Sequence, residues 1–280
     1  GPSHRGLSAL ESQLRYISHY PDATNDDILN AIADIYGMNK NQIVVGNGAA
    51  ELLYAICRLP GYTGAFVPAP GFSEYKAALE ASRIPVRDIY YRPREDEHGK
   101  PYFEVPYLAL ETFAAELKGQ DGHIIVFLGN PNNPDGTLLD KNHIRTIASM
   151  LKDANSLLVI DESFIDFVGN DTLQDNEYSM RSLVNEFDNI IVVHSFTKFY
   201  AVPGLRIGAA FSNPLIIEQL NSFIPTWSVN TLAQSYTEAA LNDVEYVKRT
   251  KQVLHEEQLF MYNSLDTING ITVYPPSANF

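Results

Sequence analysis

Two short runs in this chain, His123–Leu128 and Ser156–Ile160, are apolar at nearly every position instead of every second one. A strand solvated on one face alternates, whereas a strand apolar throughout must be covered on both faces. Such strands belong in a parallel sheet, and the helical periods between them supply the cover. Asn25 opens a helix whose Ile28, Leu29, Ile32, Ile35 and Tyr36 share one face, and Gly37 closes it. Ile43–Val45 reads as a short buried strand, Gly46–Gly48 as a turn, and Ala49–Leu59 as a helix. Ala65–Val67 is the next strand, Ser73–Ala81 a helix, Pro85–Tyr91 a strand, and Arg92–Pro101 an acidic surface loop. Asp140 opens a helix between the two apolar runs, Ile190–Val193 and Arg206–Phe211 are the last strands, and Asn230–Leu265 is a long helical connector. The expected class is α/β: a three-layer α/β/α unit around a mostly parallel sheet.

With 280 residues, 45% of them hydrophobic, the chain can bury a full core. Its net charge of −14 argues against nucleic acid and anionic membranes as partners. It does not argue against a phosphorylated small molecule, because the charge of a pocket is local. The single cysteine, Cys57, reads as a core thiol, which excludes a disulfide framework and fits a reducing compartment. With no membrane-length apolar run and no signal peptide visible, a cytoplasmic location is expected. The seven histidines show neither i, i+4 pairing nor cysteine company, so no metal site is expected, and His194 reads as a strand-end core residue. Gly1-Pro2-Ser3 reads as a protease scar, and Ser277–Phe280 stop where a strand begins to run, so a trimmed chain is expected.

In a wound α/β sheet, ligands bind beyond the carboxyl ends of the strands, and four polar segments here follow strands. In Ser195–Gly208, Lys198 lies among the hydroxyls of Ser195 and Thr197, with Arg206 eight residues on. A lysine amine is nucleophilic only when neutral, and such lysines form Schiff bases with aldehydes, most often pyridoxal phosphate (PLP). The hydroxyls and the arginine fork suit a phosphate; a solvated lysine on a turn is the plain alternative. Gly46-Asn47-Gly48-Ala49-Ala50-Glu51 joins a strand to a helix start, whose free N–H groups favour an anion, although such turns also serve as tight connections. Asn130–Gly136 holds two prolines and a glycine that fix the backbone, with a cis X-Pro bond available. An asparagine there could donate to a phenolate, or simply make an Asn-Pro turn. Asp161 ends a buried strand and needs a partner: a protonated pyridine nitrogen, a helix cap or a structural ion pair. Glu162 beside it reads as an exposed or structural acid. Pro70–Tyr75 offers an aromatic that could stack on a ring or pack in the core.

Taken in order, GNGAAE, NPNNPDGT, VIDESFIDF and SFTKFYAVPGLRIG resemble the fold-type I PLP enzymes of the class I/II aminotransferase superfamily. The resemblance is to the branch holding histidinol-phosphate aminotransferase and threonine-phosphate decarboxylase. TKFYA-x-PGLR, NGAAEL, PGFSEY and PTWSVNTLAQ look like the decarboxylase. The resemblance implies a covalent cofactor link at Lys198, Asp161 at the pyridine nitrogen, Asn133 at the ring hydroxyl and Phe72 over the ring. It implies that Ala49, Ala50, Ser195, Thr197 and Arg206 hold the phosphate, with Tyr20 reaching the neighbouring subunit's phosphate in a homodimer. Phe164 departs from the aminotransferase pattern, which usually has a tyrosine three residues after the aspartate. The domains implied are an N-terminal arm remnant (1–24), a large PLP-binding domain (25–228), and a connector with the start of a small α+β domain (229–280). The expected activity is decarboxylation of L-threonine O-3-phosphate to aminopropanol phosphate in cobalamin-type synthesis. The alternatives are a histidinol-phosphate type aminotransferase and a catalytically silent protein of the same fold. The arginine that anchors the substrate carboxylate in this family lies beyond Phe280, so this piece alone is expected to be inactive.

Overall fold

The computed structural model describes residues 1–119, 122–169, 173–174 and 176–280. The chain begins with helices α1 (His4–Gln13) and α2 (Asp26–Tyr36), followed by β1 (Ile43–Gly46) and α3 (Gly48–Ile56). Next come β2 (Tyr62–Ala69), α4 (Glu74–Ala81), β3 (Val86–Tyr90), β4 (Arg92–Glu95), β5 (Pro101–Glu104) and α5 (Tyr107–Glu116). The central part holds β6 (His123–Gly129), α6 (Lys141–Asp153), β7 (Leu157–Asp161) and β8 (Ile190–Ser195). It closes with α7 (Phe196–Phe199), β9 (Gly208–Phe211), α8 (Pro214–Phe223), α9 (Thr231–Leu241) and α10 (Val244–Asp266).

A seven-stranded sheet in the order β1-β9-β8-β7-β6-β2-β3 forms the middle layer. The pairs among β8, β7, β6, β2 and β3 are parallel, and β9 runs antiparallel to both β8 and β1. The sheet is therefore mostly parallel, as its apolar runs require. Alternate residues of each strand enter different cores. Leu158, Ile160, Ile190 and Val192 pack with Ile28 and Ile32 of α2, Ile144 and Ile147 of α6, and Ala233 and Tyr236 of α9. Leu157, Val159, Ile191 and Val193 pack with Leu52 and Ile56 of α3, Leu79 of α4 and Leu220 of α8. Each such side chain, fully buried, contributes roughly 1.5–3 kcal/mol. Cys57 joins the second core, where burial pushes its thiol up to about 12.

The register explains where a ligand can sit. Gly46 pairs with Gly208, Gly208 with Ser195, Asp161 with Val193, and Gly129 with Asp161. The strand ends that the sequence marks as chemically interesting thus lie in one row along one edge of the sheet.

Several local expectations change. Arg92–Pro101 is not a plain loop: its ends form the β4–β5 hairpin, closed across the ladder by Arg94 and Glu104 at 2.9 Å. Both flanks of β4 are solvated, so it has no apolar face to read. The connector from Asn230 is two helices, because Asp243 caps α10 by accepting the Tyr246 N–H. Asn25 stands at the start of α2 in a left-handed conformation but does not cap it; its side chain instead accepts from Gln234 Nε2 at 3.0 Å. Arg206 lies outside the last strand, also left-handed at φ 59°. Ser3, read as part of a scar, is fully buried, caps α1, and donates its backbone N–H to the Tyr236 phenol at 2.8 Å.

Candidate active site

Lys198 occupies α7, a single turn that begins where β8 ends. Its side chain is exposed into a cleft lined also by Phe72, Asn133, Asp161 and Phe164. The Lys198 amine lies 5.6 Å from the Phe164 ring centroid, within cation–π range. Residues separated by more than a hundred positions are therefore neighbours here, and this half of the expected site assembles.

Asp161 is buried at the end of β7 and is fixed on both oxygens. Oδ1 accepts the Ser163 backbone N–H at 2.9 Å and its hydroxyl at 2.6 Å, and Oδ2 accepts the Tyr75 phenol at 2.8 Å. Burial first, and the adjacent Asp161 carboxylate second, raise the Tyr75 phenol well above its ordinary value, so it donates as a neutral hydroxyl. Sequence reasoning missed Tyr75 and Ser163. The signal for Tyr75 was its place three residues beyond Phe72, across the turn that leads into α4, where the Tyr75 N–H bonds the Phe72 carbonyl at 3.3 Å and the two rings meet.

The second half lies at the start of α3. Asn47, its cap residue, makes no side-chain bond to the first turn, so the N–H groups of Ala49 and Ala50 are available to an anion. Gly48, at φ 79°, lets the Arg206 guanidinium come so close that an added Cβ would sit 2.3 Å from Nη2. The Ser195 and Thr197 hydroxyls, both buried, hydrogen-bond each other at 2.8 Å. Gly208 packs against the backbone of Ala49 so tightly that a Cβ there would lie 2.6 Å from its nitrogen. One glycine seats the helix on the sheet and the other seats the arginine over the helix start. Positive guanidinium, open N–H groups and paired hydroxyls together suit a dianionic phosphate.

The Asn130–Gly136 segment divides its labour. Asn133 lines the cleft, with cis bonds at Asn130-Pro131 and Asn133-Pro134. Asn132 is buried and donates to the Pro70 carbonyl at 3.0 Å, tying this turn to the Phe72 segment. Asn130 is buried and donates to Glu162 Oε1 at 3.1 Å. Glu162 is a structural acid with no exposure at all: it also accepts from the Ser179 hydroxyl at 2.6 Å and the Met180 N–H at 2.5 Å, with Arg181 at 3.8 Å. His194 is a core residue as expected, paired through Nε2 with Asp166 at 3.0 Å.

Tyr20 lies apart from the cleft lining. It is 78% exposed and stacks on Trp227 at 4.5 Å. Ser228, next to Trp227, donates to the Glu51 carboxylate near the start of α3.

A buried carboxylate and a lysine lining one cleft, with an anion cradle formed at the start of α3, are groups suited to a phosphorylated, aldehyde-bearing pyridine. The residues present fit PLP: Gly48 leaves room for the Arg206 guanidinium over the start of α3, and Asp161 lines the same cleft as Lys198. The chain belongs to the aminotransferase class I and II family, whose model matches residues 7–280. Among curated relatives, the adenosylcobalamin biosynthesis bifunctional protein CobDQ of Leptospira interrogans is 32% identical over 97% of this chain. The chain spans only 29% of that protein's length. The threonine-phosphate decarboxylase of Salmonella typhimurium is 32% identical over 97% of this chain and 70% of its own length. The histidinol-phosphate aminotransferase of Bdellovibrio bacteriovorus is 28% identical over 100% of this chain and 72% of its own. In structure, the chain is similar to the histidinol-phosphate aminotransferase of Sinorhizobium meliloti in complex with PLP. That match has a TM-score of 0.81 and 22% identity, over 99% of this chain and 71% of the other. The fold is thus that of the fold-type I PLP enzymes, and the family is one of PLP-dependent enzymes. No helix among the described residues is long and apolar enough to cross a membrane.

Proposed function

We propose that the protein is a PLP-dependent carboxy-lyase that removes CO2 from L-threonine O-3-phosphate. The supporting observation is the meeting of Lys198, Asp161, Asn133 and Phe72 in one cleft, together with the close approach of Arg206 to Gly48 at the start of α3. When bound, PLP withdraws electrons from the carbon that carries the substrate's amino group. Lys198 would hold the cofactor aldehyde and would deliver a proton to that carbon. Asp161 keeps a positive charge at the ring nitrogen, Asn133 donates to the ring hydroxyl, and Phe72 packs against the ring face. Ala49, Ala50, Ser195, Thr197 and Arg206 hold the cofactor phosphate. Tyr20, exposed on its own subunit, reaches the phosphate of the neighbouring subunit in a cytoplasmic homodimer.

Two features favour decarboxylation. The lysine segment has the TKFYA-x-PGLR form, and Phe164 supplies no phenol beside the ring hydroxyl. The second reading, transamination of the histidinol-phosphate kind, uses the same cofactor residues and is supported by the relative from Bdellovibrio bacteriovorus. The test is incubation with PLP and L-threonine O-3-phosphate, without any 2-oxo acid, while following CO2. Sustained release supports the lyase. One stoichiometric conversion of the cofactor to its amine form, without CO2, replaces it by the aminotransferase.

A further inference from the structure

Asp161 is gripped by donors from two separate elements. Ser163 follows it on the same loop and holds Oδ1. Tyr75 comes from α4 and holds Oδ2 at 2.8 Å. The tyrosine ring cannot swing away: it is 2% exposed, stacks on Phe127 at 5.2 Å and meets Phe72 edge-on at 5.6 Å. A carboxylate oxygen offers about two lone-pair directions. If a ring N–H takes one direction on Oδ2, the other faces buried protein, where a missing donor is costly.

We propose that Tyr75 is a positioning residue for the cofactor, aiming Asp161 Oδ2 at the ring nitrogen and satisfying its second lone pair once water is expelled. This rests on the reading of Asp161 as the partner of that nitrogen. The placement also couples two contacts. Phe72 and Tyr75 touch each other, so the aromatic over the ring face and the donor behind the ring nitrogen are set by one packed unit.

The test is a double-mutant cycle on the protein freed of cofactor, with PLP affinity read from visible absorbance. Tyr75→Phe keeps the packed ring and removes only the hydroxyl; Asp161→Asn removes the carboxylate charge. Tyr75→Phe is expected to weaken PLP binding about tenfold, or ~1.4 kcal/mol. In the Asp161→Asn background the same change should cost no more than about twofold. The pH midpoint of the bound cofactor's visible band should move with Tyr75→Phe, and should stay in place when Asp161 is already Asn. Equal losses in both backgrounds with an unmoved midpoint would show a merely packed tyrosine and overturn the inference alone. Absence of PLP binding by the unaltered protein would overturn the cofactor reading, and this inference with it.

Discussion

Replacing Gly48 by alanine tests the phosphate cradle more sharply than deleting any of its side chains. The added Cβ would lie 2.3 Å from Arg206 Nη2 and 2.9 Å from Cζ, so guanidinium and methyl cannot share the space. Which one yields follows from their settings. Gly48 is fixed at the seam of β1 and α3, whereas Arg206 is an exposed side chain held by its Nη1 bond to the Pro203 carbonyl at 3.2 Å. The arginine therefore swings out. The folding cost is that of an L-residue held at φ 79°, about 1–2 kcal/mol, or roughly 2–8 °C in Tm for a chain of this size. The binding cost is one lost charge-assisted contact to phosphate, about 1.5–3 kcal/mol, equivalent to a roughly 10- to 150-fold rise in the Kd for PLP. Titration of the cofactor-free variant with PLP, beside a calorimetric melt, measures both. Gly204→Ala is the control, since nothing lies within 4 Å of its Cβ position; it should leave both quantities alone. A Gly48→Ala protein with the melting loss but unaltered PLP affinity would refute the argument that Arg206 and the helix start form one anion site.

Other substitutions separate the remaining roles. Lys198→Ala should abolish borohydride-trappable cofactor and turnover together, and retention of either would remove the lysine from its assigned role. Phe164→Tyr places a phenol beside Asn133 in a half-buried position; PLP should bind up to about tenfold more tightly, and an unchanged Kd would mean that the residue does not face the ring hydroxyl. Asp166 makes stability pH-dependent. Burial pushes its carboxyl up, but the His194 ring, Arg181 and the Tyr36 phenol outweigh that and hold it below 3.8. Its contribution is therefore complete above the unfolded value near 3.8 and is lost as pH falls through the lower folded value. Asp166→Asn should destabilise the protein by removing the carboxylate that the His194 ring, Arg181 and the Tyr36 phenol face, and should flatten the acid limb of a urea-unfolding series; an unchanged acid limb would count against the pair.

How much of this was legible in the chain depended on whether the signal was local. The strands β6, β7 and β8 announce themselves because burial on both faces leaves little room for polar residues. The residues ending them, Asp161 and Ser195, then stand out as polar groups at apolar ends. Lys198 is legible by its chemistry and by the hydroxyls around it. Glu162 was not legible as a fully buried acid, because its donors come from Asn130, Ser179 and Met180, none adjacent to it in sequence. Tyr75 was hidden for a related reason: on a helix facing the core it looks like packing, and only the tertiary fold shows where its hydroxyl ends. The β4–β5 hairpin failed differently, since strands without a buried face lack the alternation by which strands are read.

The neighbouring pairs at the strand ends suggest how the site is kept rigid. Side chains on a strand alternate between faces, so Asp161 points to the cleft with the α3–α4 layer, while Glu162 enters the opposite layer and its network. At β8 the same alternation sends Ser195 to the cradle and His194 down to Asp166 and the Tyr36 phenol. Asp161 and Ser195 thus each have a chain neighbour fastened by buried polar bonds on the far side of the sheet. A site that must hold a ring nitrogen and a phosphate within a fraction of an ångström needs such support. On this argument, disrupting the far-side partners should loosen the cofactor without touching it: Glu162→Gln, which exchanges a buried charge for a neutral amide, should weaken PLP less than Asp161→Asn but more than any change to the exposed β4–β5 hairpin. The same PLP titration on the three proteins decides it, and a Glu162→Gln affinity equal to that of the hairpin variant would show that the far-side network serves stability alone.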